Sequence, residues 1–189
     1  GGDIASLDPA TLVVGFNNST GGKLDAYVTP EVQYDVGVCR YDRGDRQGMR
    51  GSIATVSLRN DSPGDLPPYV DFRLDEPDAP AGSTKTLVQI YGPAGAEFVV
   101  AYDGDTIPAL ARTTEAGRPV WVAQVDMLRG ETATVSVVFA EPNSPVPDPA
   151  VVVPGTAIGA DVLVREGLSD EPCGEFAPTI PEVAAAVGR

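Results

Sequence analysis

Any chemistry in this chain has to come from carboxylates, tyrosines and two cysteines, because its 189 residues include 27 acids and no histidine. The missing imidazole removes the commonest general base, the commonest metal ligand and the centre of any Ser-His-Asp arrangement. Two carboxylates flanking a glycosidic bond could hydrolyse it, but no pair among the acids is singled out by its neighbours. Ser19, Ser62 and Ser83 have no base nearby in sequence and sit in no G-x-S-x-G turn. Gly21-Gly22-Lys23 lacks the rest of the glycine spacing of a phosphate loop. A Ca²⁺ ion would be sought at the acidic turns: Asp42 and Asp45; Asp75, Glu76 and Asp78; Asp103 and Asp105. Such an ion takes about six to eight oxygens. No spacing here matches a calcium-loop template, and ordinary turn chemistry explains the same residues. The expectation is no catalytic residue, no cofactor and no metal.

Cys39 and Cys173 form no CxxC and no ligand cluster, which argues against zinc. Paired with each other, they would close a loop of about 135 residues, worth at most roughly 5 kcal/mol by the chain-entropy estimate. Such a bridge would place the chain outside the reducing cytosol. We expect the bridge rather than two free thiols, since the Pro- and Gly-bearing tail over 171–178 has little else to hold it.

Three further patterns each admit a functional and a plainer reading. Tyr69, Tyr91, Tyr102 and Trp121 could line up as a flat platform for sugar rings, although buried Tyr and Trp more often fill a core with the polar tip bonded. Arg43-Gly44-Asp45 spells the tripeptide that integrins read, inside a polar loop where the string arises readily as a solvated turn. Asn17-Asn18-Ser19, Asn18-Ser19-Thr20 and Asn60-Asp61-Ser62 fit the N-glycosylation acceptor pattern and equally fit turns.

The elements that must position these residues are short strands. Gly 21 and Pro 18 together make up about a fifth of the chain, as in proteins of many strands and turns. A hydrophobic content of 42% excludes global disorder. The formal charge of −14 argues against nucleic acid and against anionic lipid, which both need a basic face. There is no 18-residue apolar run and no initiator Met, and the chain opens on Gly1-Gly2-Asp3, which we read as a piece of a longer protein.

Alternation of apolar and polar residues predicts strands over 118–125 and 131–140 most clearly. Segments 31–41 and 52–60 read as a long antiparallel hairpin, with Tyr34, Val36 and Val38 on one face and Asp35, Gly37 and Cys39 on the other. Segments 84–91 and 96–102 form the next pair, while 150–153 and 160–165 add final strands. Lys23 to Val28 reads as a helical turn ended by Pro30, with Ser19 or Thr20 as its N-cap. The proline-rich stretch 61–81 is irregular with an edge strand over 69–74, and 107–115 reads as a short helix or a loop. The fold expected is all-β, an immunoglobulin-like antiparallel two-sheet β-sandwich over 31–166. It is preceded by a strand/helix appendage over 1–30 leading from an upstream domain, and followed by a tail over 167–189.

From Val14 to about Ala140 the sequence resembles the C-terminal part of an actinobacterial family catalogued as domain of unknown function 4012. The resemblance starts at Phe16-Asn17-Asn18-Ser19-Thr20-Gly21-Gly22-Lys23-Leu24-Asp25-Ala26-Tyr27 and runs into Val32-Gln33-Tyr34-Asp35-Val36. It continues with Leu58-Arg59-Asn60-Asp61-Ser62-Pro63 and Leu66-Pro67-Pro68-Tyr69-Val70. Thr86-Leu87-Val88-Gln89-Ile90-Tyr91-Gly92-Pro93 and Glu115-Ala116-Gly117-Arg118-Pro119-Val120-Trp121 complete it. In that family such a region follows a membrane-spanning N-terminus and a larger domain, so the resemblance implies a place outside the cytoplasm, in the cell envelope. It implies no established activity and no catalytic residues. The function expected is a non-catalytic interaction or scaffold module that meets another envelope protein. The alternative is a carbohydrate-binding module for cell-wall glycans. Neither nucleic acid nor membrane insertion by this segment is expected.

Overall fold

The computed structural model describes residues 4–103, 109–143, 148–155, 159–167, 169 and 171–173. Ten strands lie among them: β1 (Thr11–Asn18), β2 (Val28–Arg40), β3 (Arg50–Asn60), β4 (Thr84–Tyr91), β5 (Glu97–Asp103), β6 (Ala109–Glu115), β7 (Arg118–Met127), β8 (Thr132–Glu141), β9 (Ala150–Val152) and β10 (Asp161–Glu166). They form two five-stranded sheets, ordered β6-β7-β4-β1-β9 and β10-β2-β3-β8-β5. The architecture is an all-β two-sheet sandwich.

Period-two alternation decides what fills it. Successive strand side chains point to opposite faces, so Leu12 and Val14, Val88 and Ile90, and Trp121, Ala123 and Val125 all line the inner face of the first sheet. They meet Val32 and Tyr34, Ala54, Val56 and Leu58, and Val135, Val137 and Phe139 from the second, in one buried cluster. A small second cluster, Ile53 and Val138 with Tyr102 against them, covers part of the second sheet's outer face.

Both sheets are mixed rather than purely antiparallel. β9 pairs parallel with β1 (Thr11↔Ala150 to Val13↔Val152) and β10 parallel with β2 (Asp161↔Glu31 to Glu166↔Val36). A parallel pair needs a long crossover, and the C-terminal segment supplies it by adding one outer strand to each sheet. The stretch expected as an appendage is part of the sandwich instead. β1 lies between β4 and β9, with Leu12 and Val14 at 0% exposure. The turn after β1 is a 3-10 turn at Leu24–Tyr27 with no side-chain cap from Ser19 or Thr20, and Pro30 lies within β2 opposite Leu58.

Two other stretches differ from expectation. Pro68 opens a single helical turn, α1 (Pro68–Asp71), where an edge strand was expected over 69–74; consecutive prolines fix φ for a first helical turn and withhold sheet donors. The stretch read as helix or loop over 107–115 contains the edge strand β6, whose outward residues carried no alternation to read. Residues 107–108 lie outside the described residues.

The β2–β3 hairpin carries a bulge. Asp35 pairs with Ile53 and Cys39 with Gly51, so three residues of β2 stand opposite one of β3. Gly37 at φ 69° makes this conformation accessible. The bulge turns Val38 away from the core, where the plain alternation had placed it, and packs it against Ile53 and Val138. Cys39 stays on the outer face and is bonded to Cys173. Gly51 makes room for this bridge: a Cβ there would lie 2.5 Å from Cys39 Sγ and 3.0 Å from Cys173 Sγ. Gly51→Ala is therefore expected to leave a measurable share of both cysteines as free thiols, read by thiol titration of the native protein. A titre indistinguishable from wild type would contradict this.

Candidate functional site

The four aromatics named as a sugar platform are not brought together. Trp121 is 1% exposed in the core, and its Nε1 has no hydrogen-bond partner among the described residues. Tyr91 alternates outward from the first sheet and Tyr102 packs on the outer face of the second. Tyr69 stands on α1, 70% exposed. The platform is corrected for a plain reason: strand periodicity turns Trp121 into the core and Tyr91 outward, Tyr102 belongs to the other sheet, and Tyr69 stands on α1.

The other sequence signals resolve as structure. Asn60 is 0% exposed and fully committed, donating to Gly82 O at 2.8 Å and Leu128 O at 3.1 Å and accepting from Ser62 N. Asn18 accepts from Thr20 N and Oγ1 and donates to Gly22 O. Neither of these two amides is presented as a glycan acceptor, whereas Asn17 is exposed and donates to Gln89 Oε1 at 3.2 Å. Arg43 and Asp45 lie on an exposed turn, with Arg43 leaning on Asp42 at 3.6 Å. Asp75 and Glu76 are bound to cations of the chain itself, and Asp105 lies outside the described residues. Ser62 Oγ donates to Gly82 O, and no base accompanies it.

Three buried polar groups were not foreseen. The Arg118 guanidinium, 2% exposed, reaches the carbonyls of Thr11 (2.7 Å), Asp8 (2.8 Å), Leu7 (3.2 Å) and Gly92 (3.4 Å). Between the sheets the Tyr34 hydroxyl donates to Glu141 Oε1, while Arg50 donates to Glu141 Oε2 at 3.2 and 3.3 Å. Asp35 accepts from Gln33 and from Arg165 at 2.5 and 3.1 Å, tying β10 to β2.

Burial, and then the Glu141 carboxylate, push the Tyr34 hydroxyl well above the ordinary tyrosine range. An unfolded tyrosine ionises near pH 10, so above that pH the unfolded chain loses a proton that the folded chain keeps. Stability from Tyr34 is thus present below pH ~10 and falls as pH rises further. Urea unfolding at pH 8, 10 and 11 is expected to show this alkaline loss, and Tyr34→Phe to make it shallower. An unchanged slope in the variant would contradict it.

One surface feature is left without a structural explanation. In Phe72-Arg73-Leu74 polarity is inverted: Arg73 is 6% exposed, whereas Phe72 is 42% and Leu74 66% exposed, with Tyr69 beside them at 70%. Arg73 holds Asp75 at 2.7 Å, Glu76 at 3.3 Å and Asp126 at 3.4 Å, and Lys85 adds Asp75 at 3.0 Å. The guanidinium of Arg73, followed by Lys85, keeps the Asp75 carboxyl well below its usual range. Arg129 fastens α1 from below through Asp71 at 2.5 Å.

The loop after β1 supports the other side. Thr20 O accepts from Leu74 N (3.0 Å) and Asp75 N (3.3 Å), and Lys23 Nζ lies 5.1 Å from the Tyr69 ring centroid. Gly21, at φ 69°, lies under Leu74, where a Cβ would come within 2.9 Å of Leu74 Cδ1. The result is a ledge braced by these ion pairs and hydrogen bonds, with Tyr69, Phe72 and Leu74 facing water. Fully burying such a side chain is worth about 1.5–3 kcal/mol, and the ledge forgoes most of that at Tyr69 and Leu74 and a lesser share at Phe72.

A cleft of about 70 Å³ opens near Phe16, Asn18, Asp25 and Leu58. That is far below the roughly 300 Å³ at which small-molecule pockets begin. Sequence reasoning missed the ledge because it took 69–74 for an edge strand. The available signal was a cluster of large apolar residues in an acidic, proline-rich stretch that no partner strand claims.

No family model, curated protein or solved structure matches this chain.

Proposed function

We propose that this chain is a non-catalytic interaction module of an envelope-anchored bacterial protein, and that the Tyr69–Phe72–Leu74 ledge is its contact surface. The inverted polarity of 72–74 carries the reading: a guanidinium is buried so that two large apolar side chains can stand in water. Exposed aromatic residues on a rigid support are what interface centres are made of. The placement outside the cytoplasm draws on the Cys39–Cys173 bridge. The envelope setting and a place in the family of domain of unknown function 4012 draw on the sequence resemblance.

The test is retention on purified actinobacterial envelope, comparing wild type with Tyr69→Ser/Phe72→Ser/Leu74→Ser. Because all three side chains are exposed, the triple variant is expected to keep the wild-type melting temperature within a few degrees. Wild type is expected to be retained at high salt and the variant lost. Retention should vanish when the envelope is treated with protease and persist against free wall polysaccharide. Competition by the polysaccharide would replace this reading with glycan binding, and equal retention of both forms would overturn the ledge.

A further inference from the structure

We infer that β10 and residues 167, 169 and 171–173 form a reductively released clasp, which leaves the sandwich standing and bares the edge of β2 when the Cys39–Cys173 bond is cut. The clasp is the outermost element of its sheet, pairs with β2 alone and otherwise only brushes β9 and the edge of the core among the described residues. Its register runs from Asp161↔Glu31 to Glu166↔Val36 and continues past the strand. Gly167 N donates to Val36 O, Ser169 N to Gly37 O, Arg40 N to Glu171 O and Cys173 N to Arg40 O, at 2.8–3.0 Å. The disulfide closes the far end.

What holds the clasp is backbone pairing, one ion pair and one covalent bond. No β10 residue is among the buried members of the core, and only Val164 packs against it from the side. Val162 and Leu163 are 44% and 50% exposed. The ion pair joins Arg165, whose side chain is 43% exposed, to Asp35, whose side chain is 8% exposed; when β10 leaves, the guanidinium returns to water and Asp35 keeps its Gln33 donor. β2 does not need β10 to stay in place, because its other edge pairs with β3 from Val28↔Asn60 to Arg40↔Arg50. The bond therefore acts as a tether that keeps a weakly attached strand at high effective concentration.

Release is a thiol–disulfide exchange with a small dithiol. The dithiol gives two electrons and two protons, Cys39 and Cys173 become thiols, and the dithiol closes to its own disulfide. The bared β2 is then an open sheet edge of the kind that accepts an added strand.

Hydrogen exchange read by mass spectrometry tests this on the whole chain in three forms: oxidised, reduced with dithiothreitol, and Cys39→Ser/Cys173→Ser. The expected result is exchange about a hundredfold faster over 161–166 in the second and third forms, with the amides of β3 and β8 unchanged. Equal protection over 161–166 in all three forms would overturn the proposal. So would loss of protection throughout both sheets, which would make the bond a staple of the whole fold.

Discussion

Arg118→Met is expected to lower the free energy of unfolding by about 4 kcal/mol, taking each of four stranded carbonyl acceptors at about 1 kcal/mol. The side chain is one of the largest fully buried groups in the protein and forks to Leu7, Asp8, Thr11 and Gly92. It thereby ties the entry to β1 and the turn after β4 to the start of β7. Burial pulls its own proton affinity down, with Asp8 opposing, and carbonyl acceptors at both terminal nitrogens offset that cost. Methionine fills similar volume but leaves those carbonyls without donors. Arg118→Lys should recover only part of the loss, since an ammonium cannot span both sides of the fork. Urea unfolding with coincident fluorescence and circular dichroism would measure it. A loss under about 1 kcal/mol would mean that water replaces the guanidinium.

Arg50→Ala is the second large effect expected, about 3 kcal/mol, at the low end for breaking a buried pair because the Arg50 side chain is 18% exposed. It leaves the Glu141 carboxylate, 3% exposed, facing only the Tyr34 hydroxyl. The control is the triple replacement Tyr34→Phe/Arg50→Met/Glu141→Met, which removes charge and hydroxyl together and keeps apolar volume. Replacing a whole buried ionic group in this way is often close to neutral. The account therefore expects the triple variant to be more stable than Arg50→Ala alone. If the triple variant were the less stable, the polar cluster would be contributing net stability, contrary to the argument.

The central strands of this fold were legible because one face of each is buried. The reading of 84–91 matches β4, and in the strand read over 52–60 every second residue from Ala54 to Leu58 lines the core. The same periodicity explains the failures. β6 is exposed along most of its length and showed no pattern, and the bulge at Gly37 shifted Val38 by adding residues that no alternation rule counts. Parallel pairing of β9 and β10 depends on chain path and left no local trace. The bridge was legible from the poverty of other restraints on the tail. Buried Arg118, Asn60 and Arg73 were not, because a polar residue goes inside only where distant carbonyls or carboxylates meet it. The ledge was missed for the same reason: an edge strand over 69–74 leaves out the distant carboxylates that draw Arg73 inward, and no sheet covers Phe72 and Leu74.

The contact surface can be tested most directly by placing a benzophenone amino acid at Phe72 of the full-length protein in its host cell, with the same residue at exposed Thr113 on β6 as the control. The account expects a discrete photoadduct from position 72 that is absent from position 113 and disappears when Tyr69→Ser and Leu74→Ser are added. Adducts of equal yield at both positions, or none at position 72, would contradict the assignment of the ledge as the surface through which this protein works.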